Sequence, residues 1–368
     1  MKDNDAPAGI LIAAETARRF AADAFVKAGL PAADAGRVAE LMIEADLAGA
    51  AAHGIFRLAQ YVHRLKLGAI NPNPAIKVDK TAAGTAVVDG DNGMGHLVVA
   101  RAAETAIEQA RLAGVAWVGV HNSNHAGAAG TYAALVAEQG MVGLYSAVAS
   151  ANHMGVWGGS EPLLGTNPLA IAIPGGEHPV VLDIATSIVS YGTIKNHRLQ
   201  GRPLPSDWMV GTRDGAPITD PARSGEGLLL PFGGYKGAGM ALVLGLLAGS
   251  LNRAPFGRDV VDFNAHPERV CDTGQFIVAL DVARFRPLSE FIATIDTTLD
   301  DFRNSSRLPG HDEIRLPGDQ RHRRRQAQLQ DGLSLSPELT DQLDVLAGEL
   351  GITMLRDRTP KPARDALL

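Results

Sequence analysis

Residues 115–130 read VAWVGVHNSNHAGAAG. The apolar run 115–120 is typical of a buried strand, and the glycine-rich turn after it leads into a helical pattern over 128–139. A strand that feeds a helix through such a turn predicts a fold of the α/β (α+β) class. His125 stands in HAGAAG where the first glycine of the dinucleotide fingerprint GxGxxG would be.

Similar patterns extend outward from this stretch, from about residue 76 to residue 303. The strands and helices do not alternate strictly, so a clean βαβ repeat is not indicated. The predicted strands are 86–88, 142–148, 169–173, 180–184 and 275–280, and the further predicted helices are 97–113, 236–251 and 289–302.

The two ends of the chain have a different pattern. Residues 11–67 show helical spacing of apolar residues, with one helix predicted from about 55 to 67. Residues 303–325 are polar and predicted to be irregular, and 337–350 form an amphipathic helix. The basic run 321–325 is interpreted as a solvated face.

Composition excludes several classes of protein. The chain has 368 residues, which suggests two domains, and its net charge of −6 gives no reason to expect a nucleic-acid partner. The single cysteine, Cys271, excludes an intramolecular disulfide and a cysteine-based zinc site. Neither a secretory signal nor a membrane-spanning run is present, so we expect a cytoplasmic protein without a membrane partner. Glycine is abundant, at 41 residues, which predicts loops that closely approach backbone or ligand.

Three glycine-rich turns, at 90–95, 125–130 and 233–239, are predicted to lead from a strand into a helix. None has the spacing of a Rossmann or Walker loop, and tight-turn packing explains any one of them alone. Together they favour an anion or dinucleotide held by backbone N–H groups. The three tryptophans, Trp117, Trp157 and Trp208, are interpreted as packing anchors.

His53, Arg57 and Tyr61 share one face if residues 53–64 are helical. An imidazole can deliver a proton, and a guanidinium can bind a carboxylate through two hydrogen bonds. This combination suits reduction of a 2-oxo acid. The alternative is an exposed helix face with a histidine near its start.

Two further positions could carry chemistry. His121 and His125 have HxxxH spacing, but no glutamate follows the first histidine, so we predict no metal site and treat His125 as a catalytic or orienting group. Asp183 ends an apolar strand, where it could orient a histidine, contact the cofactor or cap a helix.

The spaced motifs resemble the malate/L-lactate dehydrogenase family that lacks a Rossmann fold, and the matches run nearly from end to end. Relatives include ureidoglycolate, diketogulonate, sulfolactate and cyclic imino acid oxidoreductases. The matching motifs are His53-Gly54-x-x-Arg57-x-x-x-Tyr61, Asn122-Ser123-x-His125-x-Gly127, Trp157-Gly158-Gly159, Gly165-Thr166-Asn167-Pro168, Asp183-x-Ala185-Thr186-Ser187, Pro205-x-x-Trp208 with Asp220-Pro221, Pro231-Phe232-Gly233-Gly234-x-Lys236-Gly237-x-Gly239 and Pro317-Gly318-Asp319.

The resemblance implies a homodimer with its active site near the subunit interface. It implies a mixed-sheet domain over 76–303 that binds NAD or NADP without a Rossmann fold, and a helical domain over 1–75 completed by 304–368. His53 would be the proton donor, His125 the competing acid or base, Asp183 the partner of the catalytic histidine, and Arg57, with Tyr61 on the same face, would bind the substrate carboxylate. The stretches that match cofactor contacts are Ser150, Asp183-Ile184-Ala185, Lys236 and Pro317-Gly318-Asp319.

One departure from the family pattern bears on the substrate: Ala52 stands where many relatives have serine before the catalytic histidine. A second is Asp319, which stands where the family usually has glutamate after Pro-Gly. The missing hydroxyl at position 52 favours a small 2-hydroxy/2-oxo acid as substrate over a cyclic imino acid such as piperideine- or pyrroline-2-carboxylate. We therefore predict an NAD(P)-dependent oxidoreductase. A reductase of cyclic imino acids is the alternative within that class, and a histidine-ligated metal hydrolase is the alternative outside it.

Overall fold

The computed structural model describes residues 9–358 of the chain. It divides into two compact units. The first spans Met1–Gly68 and Asp319–Leu368, of which residues 9–68 and 319–358 are described, and the second spans Ala69–Gly318. None of the helices within residues 9–358 combines the length and the apolar character needed to cross a bilayer.

The strands in chain order are β1 (Ile10–Ile12), β2 (Lys77–Ala82), β3 (Thr85–Asp89), β4 (Val115–His121), β5 (Met141–Ala147), β6 (Leu169–Ile173), β7 (Val180–Ile184), β8 (Met209–Gly211), β9 (Gly227–Leu229), β10 (Gln275–Asp281) and β11 (Leu333–Leu335). The α-helices are α1 (Ala14–Lys27), α2 (Ala32–Leu47), α3 (Leu58–Lys66), α4 (Gly95–Ala113), α5 (Ala129–Ala137), α6 (Tyr191–Leu199), α7 (Tyr235–Ala248), α8 (Leu288–Arg303), α9 (Asp319–Asp331) and α10 (Pro337–Leu350).

The first unit is mainly helical and takes elements from both ends of the chain. Helices α1 and α2 bury apolar faces that include Phe20, Phe25 and Met42. Strand β1 pairs antiparallel with β11, with Ile10 opposite Leu335, so backbone hydrogen bonds join the two ends.

The prediction that residues 303–325 are irregular is wrong from residue 319 onward, where α9 begins. This helix has a polar sequence and no fully buried residue. It is held by long-range contacts: Arg325 Nε donates to Glu44 at 2.8 Å, and the Arg324 side chain lies against Gly49. The basic run is therefore only partly a solvated face, because its arginines also attach α9 to α2.

The helix predicted from residue 55 to residue 67 is interrupted. Two 3₁₀ turns, Ala51–His53 and Ile55–Arg57, precede α3, and Gly54 separates them with φ −93° and ψ −142°. A side chain at position 54 would meet the Asp46 carboxylate, which approaches to 2.1 Å of a Cβ built there. The backbone at Gly54 is therefore not helical, and it lies in close contact with the buried Asp46 carboxylate.

The second unit is built on a mixed seven-stranded sheet in the order β2-β3-β4-β10-β5-β6-β7, which confirms the predicted mixed α/β class. Only β3 and β4 pair in parallel, and β10 lies in the centre between β4 and β5. Helix α5 covers one face, where Gly143 meets Ala133, whereas Leu144 packs on the opposite face with Leu244 of α7. Successive residues of β5 thus face different helices, as a strand requires.

Candidate functional site

The turn that carries His53 and Arg57 is fixed by short local contacts. The His53 amide donates to the carbonyl of Ala50 at 2.8 Å. Arg57 Nε donates to the carbonyl of Ala52 at 2.9 Å, and its Nη1 donates to Gln60 Oε1 at 2.9 Å. These bonds hold the guanidinium in one orientation beside the histidine. Ala52 thus contributes its backbone carbonyl to the orientation of Arg57, and this contact does not require a serine hydroxyl at position 52.

His53, Arg57 and Tyr61 do not lie on one continuous helix, so the predicted spacing argument fails at Gly54. The three are nevertheless electrostatically close. Burial and the neighbouring positive charge of Arg57 lower the pKa of His53 to about 4. Burial lowers the pKa of Arg57 and raises that of Tyr61, while the attraction between the two groups opposes both shifts. At neutral pH the site therefore holds a neutral imidazole next to a guanidinium.

Asp46 supports this turn, and the sequence reasoning missed it. Its side chain is buried at 4% exposure, and Oδ2 accepts the Ile55 amide at 2.7 Å. Among residues 9–358 no salt bridge to Asp46 is present. Burial therefore raises the pKa of Asp46 to about 7, against the opposing effect of the Ile55 amide. The sequence does indicate that Asp46 is buried, because it follows Met42 by one turn and so falls on the apolar face of α2.

In the second unit, five connecting segments meet at one end of the seven-stranded sheet, which we name the loop end. Three of them follow β3, β4 and β7, one joins β5 to β6, and one precedes β10. The strand register places them together through the pairs Asp89–His121, Val120–Gln275, Gln275–Ala147, Ser146–Leu169 and Leu169–Ile184. The loop end thus collects the predicted site residues His125, Ser150, Asp183, Ile184 and Ala185.

His125 lies in the turn after β4 and is only partly exposed. Its Nδ1 accepts the Gly127 amide at 3.3 Å, an arrangement that puts the proton of a neutral ring on Nε2. Phe263 stacks on the ring with centroids 5.6 Å apart. Gln275 Nε2 donates to the Asn124 carbonyl at 3.0 Å and fixes the backbone before it. His125 is therefore held in one orientation, by groups distant in sequence.

Asp183 is bound to the same turn. Its Oδ2 accepts the Gly130 amide at 2.8 Å, at the start of α5. The carboxylate thus accepts a hydrogen bond from an amide at the N-terminus of α5, although Asp183 itself lies in β7. This contact is similar to the helix cap that the sequence offered as one role for Asp183. The contact joins Asp183 to the segment that follows His125.

The predicted cofactor residues near the loop end have features that fit a nicotinamide dinucleotide. Ser150 Oγ is buried and has no hydrogen-bond partner within residues 9–358, so a polar group of a ligand could use it. The turn after β7 contacts the start of α7, because a Cβ at Gly237 would lie 2.7 Å from the Thr186 carbonyl. Lys236 is exposed in the first turn of α7.

Pro317 and Gly318 lie at the other end of β7. Gly318 has φ +100°, and a Cβ there would be 2.9 Å from both the Pro179 carbonyl and the Val181 amide. The two ends of this five-residue edge strand are about 13 Å apart at the usual rise per residue. Asp319 follows as the first residue of α9 in the other unit.

Within residues 9–358 no three His, Cys, Asp or Glu side chains are grouped so that they could hold a metal ion. His121 is the last residue of β4, and its strand neighbour is Asp89. The metal-hydrolase alternative therefore gains no ligand set from the described part of the chain.

Comparison with known proteins gives a consistent result. The model of a family described as malate/L-lactate dehydrogenase matches residues 12–344. The L-sulfolactate dehydrogenase of Methanocaldococcus jannaschii is 37% identical and aligns with 94% of this chain and 98% of its own length. The NAD(+) ureidoglycolate dehydrogenase of Escherichia coli O157:H7 is 31% identical, over 87% of this chain and 91% of its own. A Pseudomonas putida delta(1)-pyrroline-2-carboxylate/delta(1)-piperideine-2-carboxylate reductase is 33% identical, over 82% and 86%.

Solved structures agree in fold. The sulfolactate dehydrogenase from M. jannaschii superposes with a TM-score of 0.86 at 36% identity, covering 95% of this chain and 99% of that one. Malate dehydrogenase from Entamoeba histolytica gives a TM-score of 0.89 at 30% identity, covering 94% and 99%.

Proposed function

Because the chain belongs to the malate/L-lactate dehydrogenase family and is an oxidoreductase, we propose that it transfers a hydride between a nicotinamide and C2 of a small 2-hydroxy/2-oxo acid. The observation that carries the proposal is the turn 53–57, where a neutral imidazole and an oriented guanidinium lie next to each other. One group can exchange the hydroxyl proton, and the other can bind the carboxylate.

The chemistry of this turn depends on the direction of reaction. In oxidation, the neutral His53 accepts the hydroxyl proton while the hydride leaves C2. In reduction, His53 must carry a proton. A carboxylate bound to Arg57 would offset the positive charge that lowers the pKa of His53, and so favours the protonated ring in the substrate complex. Substrate binding would thus raise the pKa of His53 and favour the protonated imidazole that reduction requires.

A bound NAD or NADP would supply the hydride acceptor or donor. We propose that Ser150, Asp183, Ile184, Ala185 and Lys236 bind it near the loop end, and that Pro317, Gly318 and Asp319 contact its other end. This is supported by Ser150 Oγ, which has no hydrogen-bond partner among the described residues, and by the positions of Asp183-Ile184-Ala185 and of Gly318 at the two ends of β7. His125 would hydrogen-bond the substrate oxygen or substitute as the acid, and Asp183 would orient the proton donor, His53.

The architecture of the proposal follows the resemblance. The cofactor domain over 76–303 would lack a Rossmann fold, the helical domain over 1–75 would be completed by 304–368, and the enzyme would act as a cytoplasmic homodimer with its site near the interface. Tyr61 would support Arg57 at the substrate carboxylate.

A second candidate is reduction of a cyclic imino acid, which the Pseudomonas putida relative favours. The missing serine at position 52 disfavours it, whereas His53 and Asp183 remain in place. A direct assay decides: oxaloacetate, sulfopyruvate, pyruvate and Δ1-piperideine-2-carboxylate are each tested with NADH and with NADPH. Turnover of 2-oxo acids alone supports the first candidate, turnover of the imine alone supports the second, and no turnover with either cofactor contradicts both.

The role of His53 is tested by His53→Ala in the same assay. We expect a loss of kcat of at least about a hundredfold, the usual contribution of a positioned acid or base. Cofactor binding, measured by quenching of tryptophan fluorescence, should stay within a few-fold of wild type. A variant that turns over at nearly the wild-type rate would remove His53 from the mechanism.

A further inference from the structure

Cys271, the single cysteine of the chain, directly follows an exposed loop of the second unit. Its side chain is 6% exposed. The preceding segment 264–270 contains no helix or strand, and every residue in it except Pro267 is exposed. A segment with so few buried contacts opens locally at a much lower free energy than the whole protein unfolds. The thiol is therefore buried in the native fold and still within reach of small reagents.

Cys271 lines a small cavity together with Ser150. The cavity has room for about one water molecule. Ser150 is 7% exposed, and its Oγ has no hydrogen-bond partner within residues 9–358. A buried hydroxyl in this condition points to a ligand group that completes its hydrogen bonds. The thiol thus shares a cavity with a residue of the proposed cofactor site.

Cys271 also packs with the aromatic ring that holds His125. Cys271, Val261 and Phe263 form one buried apolar cluster. Phe263 stacks on the His125 ring with centroids 5.6 Å apart, and its amide donates to the Ser150 carbonyl at 3.2 Å. A change of volume at Cys271 therefore reaches both His125 and Ser150 through Phe263.

The two residues after Cys271 join it to the turn that follows β4. The Asp272 carboxylate accepts a hydrogen bond from the Asn122 amide, and the Thr273 amide donates to the Ser123 carbonyl at 2.8 Å. Asp272 has φ +45°, in the left-handed region that residues other than glycine seldom adopt. Such a conformation persists only where the surrounding contacts hold it. The segment cannot easily absorb a displacement of Cys271, so the displacement passes to that turn.

We propose that Cys271 is a site of reversible modification by small disulfides, and that this modification and cofactor binding exclude each other. The thiol loses its proton to water, and the thiolate attacks one sulfur of the disulfide. A new S–S bond forms at Sγ, and the other sulfur leaves as a thiolate with the electron pair of the broken bond. An added thiol reverses the exchange. The inference rests on the proposed function, because it requires that the cofactor binds at Ser150.

The mutual exclusion follows from volume. The smallest adduct adds a sulfur and a carbon atom, which the cavity cannot take without a shift of its walls. The adduct therefore either occupies the space at Ser150 or displaces Phe263 from His125. Conversely, a cofactor bound at Ser150 stabilises the closed form of this region, so the thiol is exposed less often.

The test uses the full-length protein and methyl methanethiosulfonate, which transfers a methylthio group to a thiol and releases methanesulfinate. Because the chain has one cysteine, intact-mass spectrometry follows modification of Cys271 alone. We expect complete labelling of the native protein, and at least about tenfold slower labelling at saturating NADH or NADPH. Kd for the cofactor, from quenching of tryptophan fluorescence, should rise at least about tenfold on labelling. Dithiothreitol should restore the original Kd.

Two variants separate volume from reactivity. Cys271→Met has the shape of the methylthio adduct and cannot react, so its Kd should exceed that of wild type at least about tenfold without reagent. Cys271→Ala should bind the cofactor as wild type does and should not respond to the reagent. Val270→Met is the matched control, because Val270 is 47% exposed and does not line the cavity. Its Kd should equal that of wild type.

Far-ultraviolet circular dichroism shows whether each species is folded. A native protein that takes up no label, or an adduct that unfolds the chain, would overturn the proposal. So would equal labelling rates with and without cofactor, or a folded adduct and a folded Cys271→Met that bind the cofactor as tightly as wild type. Failure of unmodified wild type to bind either cofactor would refute the proposed function itself, and the coupling with it.

Discussion

Replacing Asp46 by asparagine should make the protein more stable at neutral pH, although it removes a residue that holds the candidate site. Asparagine has the shape of the protonated acid and keeps an oxygen for the Ile55 amide, which now lies 2.7 Å from Oδ2. It cannot ionise. The variant therefore isolates the energetic cost of a buried charge from the loss of a hydrogen bond.

The size of the effect follows from the shift in pKa. Burial raises the pKa of Asp46 from 3.8 to about 7, and each pKa unit corresponds to about 1.4 kcal/mol, so the shift is worth about 4 kcal/mol. Because the folded pKa is the higher one, the folded protein binds more protons than the unfolded chain between these values. Wild-type stability from this group is thus fully present below about pH 4 and lost as the pH rises to about 7.

Urea unfolding of wild type and Asp46→Asn, followed by circular dichroism between pH 4 and pH 7.5, measures this difference. Their free energies of unfolding should diverge with rising pH, in favour of the variant, by up to about 4 kcal/mol. Asp344→Asn is the control. Asp344 is also buried and accepts an amide, from Leu355 at 2.6 Å, but it is paired with Arg356, so its variant should be less stable at neutral pH. Parallel curves for wild type and Asp46→Asn would refute the reasoning.

Three further predictions concern the site. Arg57→Lys loses the planar fork held by Ala52 and Gln60, so KM for carboxylate substrates should rise at least about tenfold while cofactor affinity is unchanged; an unchanged KM would argue against the carboxylate role. Ser150→Ala removes a buried hydroxyl without a partner in the described chain, so Tm should not fall, whereas Kd for the cofactor should rise about tenfold by fluorescence titration. A lower Tm with unchanged Kd would show that the hydroxyl is structural. Oxidation of the hydroxy acid needs neutral His53, whose pKa is lowered to about 4, so kcat/KM should stay level as the pH falls from 7 to 5 and decline only below that; a midpoint near 6.5 would show an unperturbed histidine.

The elements that sequence reasoning found are those with a strong apolar period. The buried strands β4, β5 and β10 and the helices α4 and α7 lie where their patterns predicted them. Helix α9 was missed because its sequence is polar throughout, and its position depends on Glu44, far away in the chain. Strand β2 was missed for a similar reason, since nearly all of its residues are exposed.

In the candidate site, too, some features could be predicted from the sequence and others depend on contacts between distant segments. The residue types of His53, Arg57 and His125 could be selected from the sequence because their chemistry suits a hydride transfer to or from a carboxylate substrate. Their arrangement could not, because a carboxylate at position 46 interrupts the helix at Gly54, and Phe263 stacks on His125 from a distant loop. Periodicity reports local structure, whereas these contacts join segments far apart in sequence.

The central position of β10 has a consequence for how the chain is made. This strand joins β4 to β5, so the sheet consists of two three-stranded halves until residues 275–281 are in place. By the time these residues are synthesised, most of the chain has already been made. Until then the inner edges of β4 and β5 are unpaired and can pair with other chains. The loop end, which both halves supply, assembles only at that late stage. Chains truncated before residue 275 should therefore aggregate more readily than the full-length protein.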